Sequence, residues 1–145
     1  MPVDVSVTTE IARPRAEVAA LCCDPDQDTS WYVNIKEVTW LSDKPARVGT
    51  QVARVAEFMG KRIAYTYVID ELVSGERLVM RAVDSPFPMK TTYTWEDCEG
   101  GTRMVLRNEG SPEGFFGSLM APLMAMQMRS ATTKDLAKLK RLLEG

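Results

Sequence analysis

The chain has 145 residues and not one histidine. Ser–His and Cys–His nucleophile pairs, imidazole general bases and most zinc sites are excluded together. Proton transfer, if there is any, must rest on Asp, Glu, Tyr, Arg or Lys. Cysteine is scarce as well. Cys22, Cys23 and Cys98 give no metal-ligand spacing, and neighbours such as Cys22 and Cys23 do not normally pair with each other. No metal site is expected, and no cofactor. An odd cysteine count without a charged, apolar leader reads as reduced thiols, so a cytoplasmic location is the expectation. Charge of one sign is not in excess, with Lys and Arg at 18 against Asp and Glu at 20. A chain without a basic footprint is not expected to bind nucleic acid. The uncharged stretch Phe115 to Met128 is too short for a membrane span, which needs roughly 20 residues. Low-complexity linkers and internal repeats are absent too.

What is present is an ordinary globular composition, 45% apolar and 26% charged. The length suits one domain over residues 1–145, large enough to bury a core without staples. Val3, Val5, Val7 and Ile11 alternate with Asp4, Ser6, Thr8 and Glu10, the period of a half-buried strand. Pro14 opens a short helix pattern with Val18, Leu21 and Cys22 on one face. Asp24-Pro25 breaks it, and a second short helix follows, with Asp24 or Asp26 as its cap. From residue 35 to 110 the chain reads as six strands. They are punctuated by turns at Gly60-Lys61, Ser74-Gly75 and Glu99-Gly100-Gly101, and by an irregular Ser85-Pro86-Phe87-Pro88 link. Short turns imply antiparallel neighbours. The predicted class is α+β, a curved seven-stranded antiparallel sheet around a long C-terminal helix, with two short helices after strand one.

The chain is organised around its last stretch, Ser111 to Glu144. Ala121, Met124, Ala125, Met128, Thr132, Leu136, Leu139 and Leu143 fall on one helical stripe. Phe116, Leu119, Met120, Leu123 and Gln127 fall on another, which ends where the charges begin. Its first part therefore has two faces to cover, and its second part has one. Pro122 is expected to kink the helix or to start a new one. Phe116, Met120, Met124 and Met128 are candidate pocket residues, because methionine adapts to irregular ligands; plain core packing or a dimer seam are the competing readings. Asp135 is read with the solvated, charged side of the tail, as a weak partner of Lys138.

Among the strands, Tyr65 and Tyr67 share a face with Ile63 and Ile69, while Tyr93 and Trp95 share one with Met89. These rings line a cavity if their faces point at the helix, and form cross-strand pairs outside if not. Trp31 reads as structural or as part of a cavity mouth. Three polar residues interrupt apolar rows: Arg54, Arg81 and Asn108. A buried Arg needs a partner or a ligand anion, and Glu57 is one partner to consider for Arg54, although it alternates onto the other face. Candidate ligand-binding residues are thus Tyr65, Tyr67, Tyr93, Trp95, Phe116, Met120, Met124, Met128, Arg54 and Arg81. Glu57, Tyr65, Tyr67 and Arg81 are the candidates for acid–base work.

Several short matches occur in order along the chain. They are the opening strand into Ala12-Arg13-Pro14, Glu17-Val18, Asp24-Pro25 with Trp31, Gly49-Thr50, Gly101-Thr102-Arg103 and the terminal Asp135–Glu144 helix. In this order and spacing the chain resembles the START-like (SRPBCC) helix-grip superfamily, in particular its polyketide cyclase/dehydrase-like branch. The resemblance implies a cavity between the sheet and the terminal helix that holds a lipid, polyketide or isoprenoid. Relatives of this kind include aromatase/cyclases, lipid and hormone carriers and co-chaperone-like modules. They share no catalytic motif, so none is carried over. Three functions follow as expectations: a binder of a hydrophobic small molecule, a cyclase/dehydratase-type enzyme, or an interaction or co-chaperone-like module whose Met-rich segment forms a partner groove or a homodimer seam.

Overall fold

The computed structural model describes residues 3–112, 115 and 120–145. Strand β1 (Val3–Ile11) leads into helix α1 (Arg15–Cys22), a 3-10 turn at Pro25–Gln27 and the single-turn helix α2 (Asp28–Trp31). Six strands follow: β2 (Ile35–Trp40), β3 (Gln51–Phe58), β4 (Lys61–Val73), β5 (Arg77–Asp84), β6 (Met89–Cys98) and β7 (Gly101–Gly110). Helix α3 (Ala121–Glu144) ends the chain. Among the described residues no helix is long and apolar enough to cross a membrane.

All seven strands form one antiparallel sheet in the order β1-β7-β6-β5-β4-β3-β2. Consecutive hairpins explain five of its neighbours, and β1 closes the far side against β7. The β3–β4 turn is centred on Met59 and Gly60, one residue earlier than Gly60-Lys61. Both have positive φ, at 51° and 78°, as a two-residue type I′ turn demands. Register shifts between β4 and β5 leave one extra residue in each strand, Val83 opposite Thr66/Tyr67 and Asp70 between Ile69 and Glu71, and such bulges bend and curl a sheet. At the start of β7, Gly101 passes so close to β1 that a Cβ would stand 2.0 Å from the Ile11 carbonyl oxygen. There Thr102 Oγ1 donates to the Arg13 carbonyl at 2.7 Å.

Helix α3 lies along β1 under the concave face and is tied to that edge strand by its polar side chains. Arg129 donates to the Ser6 carbonyl, Lys140 to the Glu10 carbonyl, and the Ala12 amide donates to Glu144. These contacts cap backbone groups that an open sheet edge would leave exposed. Pro122 sits in the first turn of α3, where its missing N–H costs nothing; it starts the helix rather than kinking one. The last turns carry Leu136, Leu139 and Leu143 into a core shared with Val18, Cys22, Trp31, Trp95, Met104 and Leu106. Asp24 caps the 3-10 turn by accepting from the Asp26 amide.

Candidate functional site

Under the middle turns of α3, Met128 to Asp135, the interior is hollow, and a cavity of about 150 Å³ lies between those turns and the curled sheet. A cavity of roughly this size accommodates a single aromatic ring. Strand alternation decides which residues face it. Arg54, Ala56 and Phe58 come from β3, Ile63, Tyr65 and Tyr67 from β4, and Met80 and Ala82 from β5. Each set has period two, and cross-strand register aligns them, with Arg54 opposite Tyr65 and Tyr67 opposite Ala82. Phe87 and Pro112 come from the two links, Thr91 from β6, Asn108 from β7, and Tyr32, Asn34 and Ile35 from the stretch after α2. The helix supplies Met128, Ala131, Thr132 and Asp135, which share one face at spacings of three and four.

The sheet wall is dominated by Arg54, 5% exposed. Its Nε and Nη2 both donate to Asp28 Oδ2, at 3.0 and 2.6 Å, and its guanidinium carbon lies 4.4 Å from the Tyr67 ring centre and 5.1 Å from that of Tyr32. Asp28, at the head of α2, is only 1% exposed. Burial pushes its carboxyl up, and Arg54 beside it works the other way. For Arg54, burial disfavours the charge, but Asp28 and the tyrosine oxygens outweigh that and hold the guanidinium charged. Two of its three nitrogens are thereby fixed. The third, Nη1, points toward Tyr65 Oη at a long 3.5 Å, on the cavity side. Behind this wall the Tyr32 and Tyr93 hydroxyls are in hydrogen-bond contact, and burial keeps both phenols protonated.

The helix wall has the opposite character. Asp135 is 5% exposed, and its Oδ1 accepts from the Val33 amide at 2.8 Å. Burial raises its carboxyl to about 6, with the Val33 amide and Lys138 opposing the shift. Among the described residues its Oδ2 has no hydrogen-bond or ion-pair partner. One turn earlier, Thr132 Oγ1 accepts from Asn108 Nδ2 at 3.3 Å, and Asn108 Oδ1 accepts from Thr91 Oγ1 at 2.8 Å. Donors thus sit on the sheet side, at Arg54 and Tyr65, and a free carboxylate oxygen sits on the helix.

The candidates named from the sequence divide by position. Arg54, Tyr65, Tyr67 and Met128 stand together on the cavity wall. Tyr93, Trp95 and Met124 are buried, at 0%, 4% and 1% exposure, and lie off the cavity wall. Met120 precedes α3, half-buried and off the cavity wall. Phe116 lies outside the described residues. Arg81 is on the outer face, paired with Asp70 at 2.8 Å, because β5 turns Met80 and Ala82 inward and Arg81 outward. Glu57 is exposed on the outside of β3, and the partner of Arg54 is Asp28 instead. Trp31 is structural, wholly buried against Tyr32 and Tyr93. Sequence reasoning missed Asp28, Tyr32 and Asp135. For Asp135 a signal existed: Met128, Thr132, Asp135 and Leu139 follow the i, i+4, i+7, i+11 spacing of one apolar face.

A curled antiparallel sheet that grips a long terminal helix over a lined cavity defines an α+β helix-grip domain. The chain belongs to the family described as polyketide cyclase / dehydrase and lipid transport, whose sequence profile it matches over residues 2–144. Among solved structures it is similar to an aromatase/cyclase, Zhui from Streptomyces sp. R1128, at 15% identity and a TM-score of 0.82, covering 99% of this chain and 94% of that one. TTHA0849 from Thermus thermophilus is similar at 21% identity and a TM-score of 0.80, with 99% and 97% covered. CV1439 from Chromobacterium violaceum gives 21% and 0.74, with 98% and 97% covered. At these identities the likeness speaks for the fold. No curated protein sequence matches the chain significantly.

Proposed function

We propose that this protein binds a small, largely apolar molecule of about one ring, bearing an oxygen, in the cavity beneath α3. One observation carries the reading. The cavity is walled by apolar and aromatic side chains, and a buried, charged Arg54 turns toward it Nη1, which has only a long 3.5 Å hydrogen bond to Tyr65 Oη. Convergent polar groups in an apolar pocket are the usual signature of a ligand site. A carbonyl, phenol or enol oxygen seated there would accept from both. Because Asp28 and two stacked tyrosines hold the guanidinium in place, the donor is oriented before any ligand arrives. The family's association with polyketides and lipids supports a ligand of this general chemistry.

Filling the cavity tests the reading. Ala82→Phe places a ring in it from the sheet side, and overpacking of a hollow site is tolerated better than overpacking of a full one. Native mass spectrometry of the purified protein and titration with phenol should show a bound molecule in the wild type and its loss in a folded Ala82→Phe variant. Equal binding by both would discard the cavity as the site.

A second reading, proton transfer on the bound molecule, is favoured by Asp135, whose carboxyl is raised to about 6 on the wall facing Arg54. A base near neutrality, set against a donor that stabilises an enolate oxygen, is the arrangement that cyclisation and dehydration of β-ketones need. Turnover of short β-ketone substrates, lost in both Arg54→Lys and Asp135→Asn, would support it. No turnover across such a panel would leave binding alone.

A further inference from the structure

We propose that Asp135 selects the ligand: the molecule held in this cavity carries a hydrogen-bond donor, a hydroxyl or an ammonium, directed at Asp135 Oδ2. The inference rests on the cavity being a ligand site and adds which chemistry the ligand must present on its helix-facing side. Asp135 is buried to all but 5% of its surface, lines the cavity, and has one oxygen committed to the Val33 amide. Its second oxygen has no donor among the described residues. Oδ2 is not among the fully buried polar atoms without a partner, so it keeps some accessible surface, and covering a carboxylate oxygen without supplying a donor is costly.

The neighbours on every side fail to satisfy it. On α3, Thr132 accepts from Asn108 and makes no hydrogen bond to Asp135, and Lys138 acts only at a distance. From the stretch after α2, the Val33 amide takes Oδ1, and the Tyr32 hydroxyl is turned to Tyr93. From β3, Arg54 gives two nitrogens to Asp28, and its third is directed at Tyr65. A purely apolar guest would bury Oδ2 with nothing to bond it. A guest with a donor there would give that oxygen a charge-assisted hydrogen bond in place of water. The site therefore discriminates by penalty as much as by attraction.

Three ring-sized probes of nearly equal shape separate the possibilities: toluene, benzyl alcohol and benzylamine. Their affinities for the full chain are read by NMR titration at pH 7.5 and repeated at pH 5. If Asp135 selects a donor, benzyl alcohol or benzylamine binds about tenfold more tightly than toluene at pH 7.5, one charge-assisted hydrogen bond's worth. A preference for the alcohol identifies a hydroxyl ligand, and a preference for the amine a cationic one. The preference shrinks at pH 5, where the carboxyl is protonated, and in Asp135→Asn, which keeps an acceptor for the Val33 amide. A thermal melt confirms that this variant is folded. Toluene equal to or better than both donors at pH 7.5, or a preference unchanged in Asp135→Asn, overturns the selection while leaving the cavity reading intact. Absence of binding by all three overturns both.

Discussion

The two halves of α3 lie under the same sheet and make opposite use of it. Its C-terminal half drives Leu136, Leu139 and Leu143 into side chains of α1 and of β6–β7, with Leu139 wholly buried. The turns just before it put Met128, Ala131, Thr132 and Asp135 over empty space. The difference comes from what the other layers supply. Helix α1 and Trp31 fill the space beneath the last turns with Val18, Cys22 and an indole. Beneath the middle turns the strands offer Ala56 and Ala82, and the polar residues Arg54, Thr91 and Asn108 stay close to the walls. One end supplies stability, and the other leaves room for a guest.

The largest break in that contrast should come from its polar hinge. Asp28→Ala leaves the Arg54 charge buried without its carboxylate, which costs about 3–5 kcal/mol and is read from the urea midpoint. That is a large share of a stability of roughly 5–15 kcal/mol. Next comes the direct test of packed against hollow. Leu139→Ala at the packed end should cost about 2–5 kcal/mol, whereas Met128→Ala at the cavity should cost under about 1.5 kcal/mol, because Met128 already lacks neighbours on one side. Equal costs at the two positions would mean that the cavity closes over in solution.

Most of the packed half was legible in the sequence. Leu136, Leu139 and Leu143 carry the helical stripe, and the strand alternation with its Gly turns located the meander to within a residue or two. The hollow half was less so. Arg54 and Arg81 interrupt apolar rows in the same way, and nothing local says which row faces the helix; the register of β4 with its neighbours, bulged twice against β5, makes that choice. The partner of Arg54 comes from residue 28, in a stretch with three aspartates in five positions, and no periodicity marks which of them is buried. Asp135 was hidden by its company. Three lysines within seven residues, Lys134, Lys138 and Lys140, make it look like part of a solvated surface, although its spacing places it on the apolar face.

That buried position gives the hollow half a pH signature that the packed half lacks. The Asp135 carboxyl is raised by burial from 3.8 in the open chain to about 6 in the fold. A raised carboxyl favours the folded state while it is protonated. Its contribution is complete below about pH 4 and is lost as pH climbs through about 6. Asp135→Asn, which cannot ionise, should therefore be more stable than the wild type above pH 6, on the order of 2 kcal/mol, with the two curves converging near pH 4. Urea melts at pH 4, 5, 6 and 7.5 check it, and a constant difference at all four would place the cost of Asp135 elsewhere than in its charge.

The smallest effect is expected where sequence reasoning puts equal weight. Arg81 is as strong a candidate as Arg54 by pattern, and the fold separates them by one strand face. Its guanidinium makes two hydrogen bonds to Asp70 across β4 and β5, in solvent, among other outer-face pairs such as Arg103 with Glu10 and Glu96. Exposed pairs of this kind contribute little, since water and salt compete for both partners. Arg81→Ala should leave the urea midpoint within measurement error of the wild type and phenol affinity within about twofold. Arg54→Ala, by contrast, should reduce that affinity at least tenfold if its Nη1 is the donor that a ligand oxygen meets. The pair of variants separates the two faces of one sheet by charge alone. A loss of binding in Arg81→Ala, with Arg54→Ala folded and unaffected, would move the ligand from the concave face to the convex one.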